Sequence, residues 1–219
     1  MPLDAAAVLA LHDRLLASPG WPAVPPGVAS AFTVPEGGVW HWVQNNHRFN
    51  SLLWAEEDLA RRTTVADAEI AANKRAIDGF NQARNDATER VDELLLVALG
   101  LVDEQSARTD APCSIVKPGA RLNSETAGSI IDRMSIMALK IHAMQLQTER
   151  SDVDATHRTS SHTKLQRLRQ QRGDLGDCLD ALLADAQAGR AYFKVYRQFK
   201  MYNDPQFNPQ LVRERLRTA

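Results

Sequence analysis

The sequence predicts an all-α, single-domain bundle of about five to seven helices with one long central helix. Three observations carry that prediction. Between Thr64 and Gly100, apolar residues (Ile70, Ile77, Phe80, Ala87, Val91, Leu94, Ala98) recur at steps of three, four and seven, and no proline interrupts them. No run of the chain alternates apolar and polar residues at strand period. Only 6% of the residues are aromatic, which suits helices better than sheets.

The elements follow in order. Asp4 to Ser18 forms a first helix with Val8, Leu11, Leu15 and Leu16 inward, stopped by Pro19 and Gly20. The stretch 19–38, with Pro19, Pro22, Pro25, Pro26 and Pro35, is a loop from which Trp21 plugs into the core. Trp40 to Arg62 is a helix with apolar residues around much of its circumference (Val39, Trp42, Val43, Phe49, Leu52, Leu53, Leu59), so a central position is expected. Thr63, Thr64 and Asp67 supply a break and a new cap. The long helix that follows would run on the order of 50 Å at 1.5 Å per residue. Gly79 within it marks a close helix crossing, and Gly100 stops it.

Residues 100–123, with Pro112, Pro118 and Gly119, are a loop or a lid over a site. Ser124 or Thr126 caps a fourth helix with Ile130, Ile131, Met134, Met137, Ala138 and Ile141 inward. Residues 150–163 form a turn between antiparallel helices. The next helix buries Leu165, Leu168, Leu175, Leu179, Leu182 and Leu183 and ends at Gly189. Ala191 to Pro205 reads as a last short helix, after which Phe207 and Leu211 dock a fraying tail. The organisation is therefore 1–38 as N-terminal helix and proline-rich loop, 39–208 as the helical domain, and 209–219 as the tail.

Composition narrows the function classes. The 219 residues carry 26 basic and 27 acidic side chains, a net charge of -1, so neither nucleic acid nor an anionic membrane is indicated by bulk charge. No segment approaches the roughly 20 apolar residues of a membrane span. The N-terminus lacks a basic region ahead of its apolar residues and is interrupted by Asp4, His12, Asp13 and Arg14, so no signal peptide is expected. Cys113 and Cys178 have neither metal spacing nor a disulfide framework and read as free thiols. The expected compartment is the cytoplasm.

Polar residues on the helices define a candidate site. Lys74, Asp78, Asn81, Asn85 and Asp92 share one face of the long helix, flanked by Arg84 and Glu89. A solvated face laced with charge pairs is the simple reading. Asparagine argues against it, because it is a poor helix former and finds use where it hydrogen-bonds something specific. On the preceding helix His47, Asn50, Trp54 and Glu57 face one way, with Asn46 beside them. His47 and Glu57 are the candidate acid–base pair, set against His47 as a hydrogen-bonded core residue. His41 and His47 are six apart, the wrong spacing for one metal, and no metal site is expected. The basic residues Lys74, Arg75, Arg84, Arg133, Lys140, Lys194, Arg197 and Lys200 lie on four helices. They either converge on a phosphate or carboxylate or pair internally with Asp78, Glu89, Asp92, Glu125 and Asp132. No P-loop, dinucleotide fingerprint, nucleophile elbow, CxxC or kinase signature occurs, and no cofactor is identified.

The strings WHWVQNNHRFNSLLWAEEDLARR, KRAIDGFNQARND, SETAGSIIDRMSIMALKIHAM and FKVYRQFKMYNDP resemble, in that order, a bacterial family known as domain of unknown function four-two-five-four. The resemblance spans Val39 to Asn208 and leaves the first 38 residues outside. It implies a helical fold and, by association with glycosyltransferases of the lipopolysaccharide heptosyltransferase type, surface-glycan assembly. It supplies no catalytic residues.

Two functions compete. In the first, a pocket between helices binds or acts on an anionic ligand of the sugar-phosphate type. Its residues are Asn46, His47, Asn50, Lys74, Asp78, Asn81, Arg84, Asn85, Glu125, Asp132, Arg133, Lys140, Arg197 and Lys200. In the second, the chain is a non-enzymatic module that partners a glycosyltransferase, and a large exposed apolar face is expected.

Overall fold

A computed structural model describes residues 3–23, 37–199, 201 and 204–218. It contains six α-helices: α1 (Ala5–Leu16), α2 (Val39–Leu59), α3 (Asp67–Ala98), α4 (Ala127–Glu149), α5 (Ala155–Ala188) and α6 (Pro209–Thr218). The long helix expected between Thr64 and Gly100 is α3, at 32 residues, and α5 is its equal at 34. α2 with α3 and α4 with α5 form two antiparallel hairpins. α4 sits where they meet and touches α1, α2, α3 and α5.

Local chemistry sets the ends. Asp4 caps α1 by accepting the Ala7 amide at 2.8 Å. Thr126 and Ser129 exchange hydrogen bonds at the start of α4. Asp154 accepts the His157 amide at the start of α5, so the 150–163 turn is shorter than expected and the helix begins at Ala155. Gly189, at φ 74°, closes α5 in the left-handed region. α3 starts at Asp67 with Ala66 as its N-cap and no side-chain cap, so Thr63 and Thr64 play no capping part; Asp67 and Glu69 lie in its first turn and favour the helix dipole there.

Two elements differ from expectation: the tail expected to dock and fray forms α6, with Phe207 exposed, and the last short helix is absent among the described residues. Residues 191–199 are not a helix. Arg121–Leu122 (β1) pairs in parallel with Ala191–Tyr192 (β2), and the chain then runs on extended. Ala191, Phe193 and Val195 are buried while Lys194 and Tyr196 are exposed, a period of two. Aromatic and β-branched residues favour that backbone, and the amides of Arg121 and Asn123 find acceptors in Arg190 and Tyr192. Phe193 is the largest fully buried side chain.

The apolar core is contributed by every helix from α1 to α5, with Val8, Leu96, Ile130, Ile131, Met134 and Leu179 at its centre. α2 is the exception in character. Five of its seven buried residues are polar: Gln44, Asn46, His47, Asn50 and Ser51. Its apolar residues Val39, Trp42, Phe49 and Leu52 are only half-buried, and Leu59 is exposed. α2 is central, as expected, but it presents amides to the interior.

The glycine that allows a close crossing is Gly128, not Gly79. A Cβ on Gly128 would lie 2.6 Å from the Thr88 carbonyl and 2.9 Å from the Asp92 carboxylate, so only glycine lets the start of α4 approach α3. At Gly79 nothing stands within 4 Å of that position. Alanine at the two sites should therefore act with opposite sign. In denaturant melts, Gly128→Ala should destabilise the fold by roughly 1–3 kcal/mol, and Gly79→Ala should stabilise it by about 0.5–1 kcal/mol.

Candidate functional site

The polar face of α2 meets a matching face on α4. Asn46 and Asn50 are one turn apart, as are Asp132 and Ser135, so each pair projects from a single side of its helix. The Asp132 Oδ1 atom accepts an amide N–H from Asn46 at 2.8 Å and another from Asn50 at 2.9 Å. Asn46 also donates to Thr88 Oγ1 of α3 at 3.0 Å, and Thr88 donates to the Arg84 carbonyl. Asn50 donates to Ser135 Oγ at 3.0 Å, and that hydroxyl lies 2.8 Å from His47 Nδ1. A continuous set of hydrogen bonds thus ties α2, α3 and α4 together within an otherwise apolar interior.

Arg84 completes this network at its outer side. Its guanidinium faces the second Asp132 oxygen at 3.6 Å and donates to Asn85 Oδ1 at 3.0 Å. Its Nε is buried without a hydrogen-bond partner in the protein. Above it a cleft of about 290 Å³ opens between α2, α3 and α4. Asn50 and Arg84 reach it from the network, Trp54, Glu57 and Asn81 stand on its walls, and Leu139 supplies apolar surface. Arg61 pairs with Glu57 at the rim. Amides, a guanidinium and an indole face are groups that recognise hydroxyls, an anion and a sugar ring respectively.

The other expected site residues separate into distinct places. Lys74 and Asp78 form an exposed one-turn pair on α3 and line no part of this cleft. Arg133 and Lys140 of α4, with Glu125 just before it, line a second cleft of about 570 Å³ shared with Gln171, Asp174 and Cys178 of α5, and Ile136 borders both clefts. Glu125 and Arg133 are paired there. Arg197 meets Glu89 at 2.9 Å and Glu93 at 2.5 Å, and it donates to the carbonyls of Ala107 and Thr109. It fastens the 101–116 loop and the extended C-terminal segment to α3, so neither Arg197 nor that loop borders either cleft. Lys200 lies outside the described residues. The single pocket expected to gather all fourteen side chains is thus an inner network with one cleft, a second cleft and two surface networks.

His47 is sealed away from the cleft. Its ring is stacked between His12, with centroids 4.4 Å apart, and Trp21, at 5.5 Å. Trp21 Nε1 donates to Ser51 Oγ, which donates to the His47 carbonyl. The Trp21 plug expected from sequence is this ring. Burial, and then the charge of Arg172, push the His47 pKa down to about 3. The His12 pKa is also held well below 6.5, by burial first and then by the charges of His47 and Arg172, and both of its ring nitrogens lack hydrogen-bond partners. Arg172 reaches this group from α5 while bonding Asp13 and the Leu9 carbonyl, which docks α1. A ring so enclosed is a packing element; of the expected acid–base pair Glu57 alone lines the cleft, with Asp58 beside it.

Sequence reading missed Ser135, Thr88, His12, Arg172 and the state of Asp92. Ser135 stands three residues after Asp132, and His12 follows Val8 by four; both are spacings that place a polar group on a buried stripe. Asp92 of α3 is buried against the start of α4, where it accepts the Gly128 amide at 2.6 Å. Burial raises its pKa to about 7 against the opposing hydrogen bonds from Thr126 and Gly128.

Among the described residues no group of three or more His, Cys, Asp or Glu side chains could hold a metal, and no helix is long and apolar enough to cross a membrane. A family model described as protein of unknown function (DUF4254) matches residues 40–195, which includes the whole network and its cleft but not His12 or Trp21. No curated protein and no solved structure gives a match.

These titrations make stability depend on pH in two opposed ways. The native histidines stay neutral where the unfolded chain, at the ordinary value of 6.5, takes up protons. Their contribution is complete above 6.5 and is lost as pH falls below it, for His47 down to about 3. Asp92 holds a proton in the native state that the unfolded chain gives up at 3.8, so its contribution is complete below 3.8 and is lost as pH rises to about 7. In urea melts across that range, His12→Phe should flatten the acid-side loss, and Asp92→Asn should raise stability near neutral pH relative to the parent. Unchanged pH profiles in both variants would contradict these assignments.

Proposed function

We propose that this chain, which belongs to the DUF4254 family of proteins of unknown function, binds a sugar-type ligand bearing an anionic group in the cleft between α2, α3 and α4. One observation carries the reading: the cleft is floored by side chains already fixed by hydrogen bonds, and Arg84 stands at its base. Arg84 holds the phosphate or carboxylate, since a guanidinium offers paired donors to such groups. Asn50 and Asn81 address hydroxyls, because an amide both donates and accepts. Trp54 lies against the apolar face of the sugar ring. A floor locked in advance reduces the ordering cost of binding.

The context we attach is surface-glycan assembly, such as that of lipopolysaccharide, carried out in the cytoplasm. The glycan context rests on the family resemblance alone. Glu57 is the group that would turn such a binder into an acid–base catalyst. A second reading, a non-enzymatic partner of a glycosyltransferase, draws support from the exposed apolar side chains of the C-terminal segment, among them Phe199, Met201 and Phe207.

Titration calorimetry and thermal-shift assays with hexose phosphates, heptose phosphates and nucleotide sugars test the binding reading. At least one should bind and raise the melting temperature. Arg84→Ala should weaken it by about ten-fold or more, the usual cost of losing a charge-assisted hydrogen bond. Asn81→Ala should weaken it less, and Lys74→Ala should leave it unchanged. A flat response to the whole panel, or full affinity in Arg84→Ala and Asn81→Ala alike, would remove the proposal.

A further inference from the structure

The C-terminal segment carries features that the cleft does not use. Residues 194–219 hold six basic side chains against Asp204 and Glu214, a net +4, so the other residues together carry -5. Arg197 is neutralised by Glu89 and Glu93, while Lys194 and the arginines of α6 lie on the outside. Six of the chain's thirteen aromatic residues fall between Tyr192 and Phe207. Tyr196, Phe199, Met201, Phe207 and Leu216 are all exposed, Phe199 at 72% and Leu216 at 76%.

The helix at the end of this segment is placed to use them. Among the described residues α6 packs against none of α1 to α5. In its sequence PQLVRERLRT, Leu211, Val212 and Leu216 lie within one side of the helical wheel with Arg215 between them, and Arg213 and Arg217, one turn apart, follow beyond Leu216. A short basic amphipathic helix preceded by exposed aromatic residues matches the interface of an anionic bilayer, where apolar side chains sink below the headgroups and arginines reach back to the phosphates. No helix of the described residues is able to span a bilayer, so the attachment is peripheral.

We infer that the described residues between 194 and 217, with Phe199, Met201, Phe207 and α6, form a reversible docking surface for an anionic lipid bilayer. Charge distribution also sets the orientation. The rest of the chain is net negative and is repelled by such a surface, so the molecule approaches C-terminal segment first. Lipid suits the surface better than nucleic acid, because Met201 and Leu216 offer bases no ring to stack on. It suits it better than a protein groove, because the apolar side chains are interleaved with cations instead of forming one dry stripe.

Vesicle flotation of the full chain tests this. Phosphatidylcholine vesicles are compared with and without a third of phosphatidylglycerol, at low and high salt. The protein should float only with the anionic vesicles, and high salt should release it. Arg213→Gln with Arg217→Gln should weaken partitioning by more than about ten-fold, at roughly five-fold per arginine. Phe207→Ser with Leu216→Ser should weaken it comparably. Both variants should keep the parent's helical circular dichroism, and Arg75→Gln on the exposed face of α3 should float like the parent. The inference fails if anionic vesicles capture nothing, if neutral vesicles capture as much, or if neither double variant differs from Arg75→Gln. It also fails if a single-stranded oligonucleotide binds more tightly than the vesicles.

Discussion

A single carboxylate oxygen organises the interior. Asp132 Oδ1 receives amide hydrogens from both Asn46 and Asn50, and through them α4 is registered against α2 and, by way of Thr88, against α3. Charge-assisted hydrogen bonds in a weakly screened interior are stronger than neutral ones and costly to leave half-made. That asymmetry fixes which residues of three helices face one another. An apolar seam of the same shape would tolerate sliding by a turn; a network of paired donors and acceptors does not. The cleft above it inherits this rigidity, because Asn50 and Arg84 belong to both.

Two further polar contacts hold the helices at the ends of this seam. Asp92 and Gly128 bring the start of α4 against α3 at a distance only glycine permits. Arg197 gathers Glu89, Glu93 and two loop carbonyls, so the extended C-terminal segment is bound to the same helix. On the far side, the stacked His12 and His47 rings with Arg172 attach α1. The neutral state of those rings and the protonated state of Asp92 share one main cause: removal from water disfavours the charged form of a group, and here it outweighs the hydrogen bonds to Asp92. The molecule therefore carries three titrating groups inside a fold whose outer surface is nearly balanced in charge.

Much of this was legible in the chain. Helical periodicity located α1 to α5 because apolar residues recur at steps of three and four in each. Asn81 and Asn85 stood out because a solvated helix face has little use for a poor helix former; Asn85 is buried and bonded to Arg84, whereas Asn81 is half-buried on the cleft wall. Other features were hidden for physical reasons. The strand-like 191–196 segment alternates over only a few residues, and its partner β1 is two residues long and some seventy positions away. Lys74 and Asp78 share a helical face with Asn81, but i,i+4 charges satisfy each other at the surface, so periodicity alone could not separate them from the site. Arg133 and Asp132 are adjacent in sequence and consequently point to different sides of α4, one into each region. Gly79 and Gly128 differ only in what stands opposite, which no local pattern records.

The dependence of the structure on the Asp132 contact is open to direct measurement by a double-mutant cycle. Asn50→Ala, Asp132→Ala and the pair together would be compared with the parent in urea melts at neutral pH. If the amide–carboxylate contact registers α2 against α4, the two substitutions should be strongly non-additive, with a coupling of about 1–3 kcal/mol. Losses that simply add, to within about 0.5 kcal/mol, would show that the apolar core alone sets the packing of these helices.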